Sequence, residues 1–231
     1  MAKILIGVPS SRYYQPFLES LPRFIEEISK EHTVSVCFVK DRKVDEARNE
    51  IVDFFLNTDF EYILFLDDDH SGHTKEMLDI LLKQNTYFAS ILCYTRYFPY
   101  AGNLLFYSGY ADPNIKYADH SYTEGSRECD LAGFGMGLIR RDTFSKIDKP
   151  YFVADNNSHE DNYFCDKLIA NGIHPVGVWD YVLTHNGIGK ENVTEEYKKS
   201  ILTHYKNNLH KAKLGRHFNQ TTQREELVMH F

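Results

Sequence analysis

Residues 62–70 read YILFLDDDH, an apolar run that stops against three consecutive aspartates. A continuous apolar run rich in β-formers reads as a strand buried on both faces of a parallel sheet. Asp67, Asp68 and Asp69 then emerge at its carboxyl end, the edge at which open α/β sheets bind ligands. Three adjacent carboxylates repel one another, and if partly buried they titrate high unless a cation offsets their charge. A divalent metal is the simple answer. A solvated acidic turn that merely ends the strand is the alternative.

Outward from this stretch, strand and helix patterns alternate. KILIGV (3–8) reads as a strand, and Phe17, Leu21, Phe24, Ile25 and Ile28 then recur at helical spacing. TVSVCFV (33–39) is a second strand, and VDEARNEIVDFFLNT (44–58) carries the apolar spacing of a helix. After the aspartates, KEMLDILLKQ (75–84) is another helix and YFASILCY (87–94) a fourth strand. Such alternation implies βαβ units with right-handed crossovers and a parallel sheet. Residues 1–94 therefore read as a nucleotide-binding half.

The pattern breaks after Tyr94. Residues 95–129 are rich in Tyr, Gly, Pro, Asn and Asp without a sustained period, a length that an idle connection rarely has. Order returns at DLAGFGMGLIRRDTF (130–144), a glycine-interrupted strand feeding a short helix. Gly133, Gly135 and Gly137 allow a bulge or a close approach to the backbone and do not match a phosphate loop. They read as structural, with lining of an acceptor pocket as the alternative. A helix begins near Ser158 with Glu160 and Asp161 in its first turn, where the helix dipole favours acidic residues. HPVGVWDYVLTHNG (174–187) reads as an edge strand ending at His185, with Trp179 in its core-facing pattern. Beyond Lys190, Tyr197, Ile201, Tyr205, Leu209 and Leu214 fall roughly on one helical face. The expected division is a domain over 1–190, whose 95–190 half binds the acceptor, and a C-terminal helical extension over 191–231.

A chain of 231 residues has room for one sizeable core. Its net charge of -7 argues against general nucleic-acid binding, which depends on Lys and Arg neutralising phosphates. Sixteen Tyr and sixteen Phe suit packing and also stacking on sugars or bases. Cys37, Cys93, Cys129 and Cys165 are spread too widely for the close pairs of a zinc site. The N-terminus lacks a signal-like pattern and no apolar run approaches the length of a membrane span. A cytoplasmic location is expected, that of the host if the chain is viral.

The order of these segments resembles the GT-A fold glycosyltransferases, especially the inverting family 2 enzymes and their viral and bacterial relatives. ARN (47–49) before a helix, LFLDDDH as a strand-end DxD motif, GFGMGLIRRDTF as an acceptor-loop segment and HEDNYFCDKLIANG as the ED segment carry the resemblance, with a histidine after a strand at THNG. It covers about residues 3 to 190, and the motifs are specific only together and in this order.

The resemblance implies an α/β, Rossmann-like, mostly parallel sheet flanked by helices, and a metal-dependent transfer of sugar from a nucleotide-diphosphate donor. A UDP-sugar is favoured and a GDP-sugar is the second choice; the acceptor is a hydroxyl of a glycan or other molecule. By similarity Asp69 binds the metal, Asp67 contacts the ribose or the metal, Asp68 serves the nucleotide or the turn, and His185 is a further metal ligand. The ion is Mn²⁺ or Mg²⁺, and carboxylate plus imidazole suits Mn²⁺ at least as well. Asp161 is the base and Glu160 holds the acceptor hydroxyl. Pro9, Ser10 and Arg12 contact the nucleotide, and the Arg48 fork suits its phosphates. Alternatives are a retaining transferase of the same fold, a sugar-nucleotide nucleotidyltransferase, and a non-catalytic carbohydrate-binding module. A homo-oligomer is compatible with the short chain.

Overall fold

The computed structural model describes residues 1–10, 14–94, 103–107, 116–118, 124–155, 159–186, 213–219 and 224–230. Strand β1 (Lys3–Ser10) runs through the middle of the first half, and Ile4, Leu5, Ile6 and Val8 are fully buried there. It pairs in parallel with β2 (Thr33–Lys40) on one side and β3 (Tyr62–Leu66) on the other. The crossovers are helix α1 (Gln15–Ile28), which buries Phe17, Leu21, Phe24 and Ile28, and helix α2 (Val44–Leu56), which buries Ala47, Arg48, Ile51, Val52 and Phe55. ARN (47–49), expected before a helix, lies inside α2. The two-residue strand β4 (His70–Ser71), helix α3 (Lys75–Gln84) and strand β5 (Phe88–Cys93) complete this half. Each long strand and helix expected there from periodicity is present, within two residues at its ends.

The second half supplies β6 (Leu104–Tyr107), β7 (Lys116–Ala118), β8 (Ser126–Glu128), β9 (Leu131–Ala132) and β10 (Met136–Arg140). A 3₁₀ turn (Arg141–Ser145), helix α4 (Glu160–Ala170) and strand β11 (Val176–His185) follow. The main sheet has the order β2-β1-β3-β10-β5-β11-β4, with β8 also on β11. β10 is antiparallel to both β3 and β5, while β11 is parallel to β5, so the sheet is mixed and mostly parallel. β1, β3, β5 and β11 therefore send their carboxyl ends to one edge. The order reverses between β1 and β3, which makes that edge a topological switch point.

Two expectations change here. β11 is not an edge strand: β5 covers one side, and the short β8 and β4 pair antiparallel on the other. Those partners come from distant loops whose few residues carry no period of their own. The expected C-terminal helix is also not what residues 213–219 and 224–230 form. β12 (Lys213–Asn219) and β13 (Arg224–His230) pair antiparallel, Lys213 opposite His230, and Leu214 belongs to that pairing. Gly215 in the interior would weaken a helix by about 1 kcal/mol relative to alanine. Tyr197, Ile201, Tyr205 and Leu209 lie outside the described residues. The chain divides into two compact units, Met1–Val193 and Thr194–Phe231.

Packing separates the two faces of the main sheet. On one, Phe17, Leu21 and Phe24 of α1 join Leu78 and Leu81 of α3 over Ile4, Ile6, Leu64 and Ile91. An aromatic layer forms elsewhere: Phe88 stacks on Phe134 at 4.9 Å between centroids, and Phe152 on Phe164 at 4.8 Å. Much of the phenylalanine surplus is thus used for packing. Trp179 is buried, and all four cysteines are free thiols. No helix among the described residues is long and apolar enough to cross a membrane.

Candidate functional site

The three strand-end aspartates point to three different partners. Asp67 accepts a 2.8 Å hydrogen bond from Arg48 Nη2 on α2. Asp68 is buried and accepts one of 2.8 Å from Ser10 Oγ at the end of β1. The Asp69 carboxylate lies between two imidazoles, with Oδ1 2.8 Å from His70 Nδ1 and Oδ2 3.3 Å from His185 Nε2. Burial alone would raise the Asp69 pKa, but the His185 and His70 imidazoles flanking it outweigh this and hold the carboxylate well below its usual range.

Backbone geometry brings the imidazoles together. After Asp69 the chain pairs as β4 with the end of β11, placing His70 opposite His185 and Ser71 opposite Thr184. Gly72 then turns it away at φ +84°, a conformation that favours glycine. The Asn186 N–H donates to the Asp69 carbonyl at 2.7 Å, and the His185 Nδ1 lies 2.7 Å from the Tyr94 carbonyl. With Nδ1–H donated to that carbonyl, Nε2 is the ring nitrogen that faces Asp69. The two rings stack at 4.2 Å.

A second group of charges centres on Arg48, which is only 2% exposed. Besides Asp67 it binds Glu160 Oε1 through Nε and Nη2, both at 3.3 Å, and its guanidinium lies 4.5 Å from the Phe134 ring centroid. Burial works against its charge, yet Asp67 and Glu160 together raise its pKa. Asp161, the next residue, has no such ion pair; its carboxylate accepts the Asn162 N–H at 2.7 Å. Burial, reinforced by the neighbouring Glu160, pushes the Asp161 pKa up to about 6. Adjacent positions at a helix start face different ways, so the pair diverges although both residues sit in the first turn of α4.

A cleft of about 150 Å³ opens among Pro9, Ser10, Ala47, Arg48, the three aspartates and Glu160, with Arg42 and Val44 at its side. Its size suits a base or ribose fragment, being smaller than the roughly 300 Å³ of a small drug site. Of the residues singled out by sequence, Pro9, Ser10, Arg48, Asp67, Asp68, Asp69 and Glu160 converge on it. His185 joins through Asp69. Asp161 is not among the lining residues, and Arg12 lies outside the described residues. Sequence reasoning missed His70 and Arg42. The fourth letter of DDDH carried a signal for His70, because a ligand-type residue directly follows the metal motif; Arg42 had none.

Asp69, His70 and His185 place one ligand atom each within 4.8 Å of one another. Asp67 is not in this group. The set fits a divalent ion: one carboxylate and two imidazoles are a common donor combination for first-row metals. His70 is 4% exposed, and although its Nδ1 is close to Asp69, neither ring nitrogen makes a hydrogen bond of acceptable geometry among the described residues. Buried polar atoms without partners are rare and call for an explanation such as an ion.

No family model and no curated protein matches the chain. Among solved structures, the crystal structure of A197 from STIV is similar over 84% of this chain and 91% of its own, with a TM-score of 0.59 and 17% identity. A likeness at that identity shows the fold alone. The chain shares with A197 an α/β architecture built on a central sheet.

Proposed function

We propose that this chain is a metal-dependent GT-A glycosyltransferase that moves a sugar from a nucleotide-diphosphate donor, a UDP-sugar by preference, to an acceptor hydroxyl with inversion. The observation that carries the reading is the convergence of three strand-end aspartates, a buried arginine and Glu160 around one switch-point cleft, with Asp161 next to Glu160 in the first turn of α4. Pro9 and Ser10 form the floor against which the nucleotide lies. Ser10 holds Asp68, and Arg48 holds Asp67 and Glu160, so these carboxylates are oriented before substrate arrives.

Asp69 and His185 hold the ion. When bound, a divalent cation supplies charge neutralisation to the diphosphate as it leaves. Asp161 takes the proton of the acceptor hydroxyl while that oxygen attacks the anomeric carbon. The bond from the anomeric carbon to the diphosphate oxygen breaks, and the nucleoside diphosphate departs with the electron pair. A carboxylate raised to about 6 is a better proton acceptor than an ordinary one and is still ionised at neutral pH. Glu160, tied to Arg48, positions the acceptor hydroxyl.

The test is a panel of UDP- and GDP-sugars with Mn²⁺, scored by donor hydrolysis, thermal stabilisation and the anomeric configuration of product by NMR. A donor that is hydrolysed and raises the melting temperature, giving an inverted product with an acceptor, supports the reading. Retained configuration would remove the inverting mechanism, and inertness toward the whole panel would remove the activity.

A further inference from the structure

We infer that His70 is a metal ligand, so that the ion is held by Asp69, His70 and His185, and that this two-imidazole set selects a first-row transition ion such as Mn²⁺ over Mg²⁺. The inference deepens the metal-dependent reading above and rests on it for what the ion does. Three observations carry it independently of any resemblance. The ligand atoms of the three side chains lie within 4.8 Å of one another. His70 is 4% exposed, and both of its ring nitrogens lack a hydrogen bond of acceptable geometry among the described residues. Its ring is also held in place: β4 fixes its backbone against β11, His185 stacks on one face at 4.2 Å, and Gly135 lies close by. A Cβ added at Gly135 would stand 3.0 Å from His70 Cδ2 and Nε2, so the glycine provides the space the ring occupies.

Donor chemistry decides which ion. Mg²⁺ requires near-octahedral oxygen ligation and is bound mainly through carboxylates, phosphates and water. Imidazole nitrogen suits first-row transition ions such as Fe²⁺, Ni²⁺ and Zn²⁺, and Mn²⁺, though the weakest binder of that series, accepts it more readily than Mg²⁺ does. The acidic triplet does not offset this. Arg48 engages Asp67, and Ser10 engages Asp68, leaving Asp69 as the carboxylate of the group.

The test uses the full chain and Mn²⁺ alone. Pulsed electron paramagnetic resonance of bound Mn²⁺ counts coordinated ¹⁴N, and two imidazole couplings are expected in the wild-type protein. His70→Ala should leave one coupling and weaken Mn²⁺ binding by at least about 10-fold, the loss that even an outer-sphere change produces. Gly135→Ala removes no ligand but crowds the ring, and should weaken Mn²⁺ more than Mg²⁺. The wild-type spectrum decides even if His70→Ala fails to fold. Two couplings support His70 as a ligand whether or not a nucleotide sugar is turned over, so that sugar transfer can fail without it. A single coupling, or equal affinity for Mg²⁺ and Mn²⁺, overturns the inference even where Mn²⁺-dependent transfer is found.

Discussion

Glu160 and Asp161 are adjacent carboxylates, yet only the first is bonded by the buried Arg48 guanidinium. The difference makes Asp161→Asn a test with two signs. As the base, Asp161 cannot be replaced by an amide, and turnover should fall about 10² to 10⁴-fold with donor affinity kept. Its folded pKa of about 6 lies above the ordinary 3.8, so the folded state binds this proton more tightly than the unfolded chain. The associated stability is full below about pH 3.8 and is lost as pH rises through about 6. The amide should therefore stabilise the protein at neutral pH by about 1–3 kcal/mol, with little gain near pH 3, in thermal melts at the two pH values. A residue that only favoured the helix dipole would instead lose about 0.3–1 kcal/mol and keep its turnover. The wild-type rate should also fall below about pH 6, where the base is protonated. Arg48→Ala strands two carboxylates in a largely buried setting, and urea unfolding should show a loss of about 3–5 kcal/mol.

At the level of elements, the site depends on how α2 grips the segment leading to α4. Asn49 Nδ2 donates to the Asp45 and Phe152 carbonyls, and its Oδ1 accepts the Tyr151 and Phe152 N–H groups. Asn49→Ala removes this bracket. It should cost about 1–3 kcal/mol in thermal melts and reduce turnover by displacing Glu160 and Asp161, while Mn²⁺ binding at Asp69 stays close to wild type. The sequence made β1, β3, β5, α1, α2 and α3 legible because each carries a sustained apolar period. The two-residue β4 has no period at all, and its partner is the distant end of β11, with His70 opposite His185 and Ser71 opposite Thr184. That pairing moves His70 into the site and, together with β8, turns β11 into an interior strand, and neither result can be read from local spacing. The 213–230 stretch shows the opposite failure, because Leu214 was consistent with a helical face while the antiparallel pairing from Lys213 to Asn219 won. In the site, charge-bearing positions at strand and helix ends were readable, whereas their partners were set by packing.

In the molecule as a whole, the cleft is assembled from residues between Pro9 and Glu160, all inside the Met1–Val193 unit. A chain ending at Val193 should therefore keep its circular dichroism and its metal binding, since the main sheet and both of its packed faces belong to that unit. The central claim is that the strand-end carboxylate at Asp69 carries an ion that holds a nucleotide diphosphate. Calorimetric titration of UDP into the full chain, with and without Mn²⁺, in the wild-type and Asp69→Ala proteins, tests it most directly. UDP is expected to bind the wild type only when Mn²⁺ is present and to bind Asp69→Ala in neither condition, with both proteins folded by circular dichroism. UDP binding that is unchanged by Mn²⁺ or by loss of the Asp69 carboxylate would contradict it.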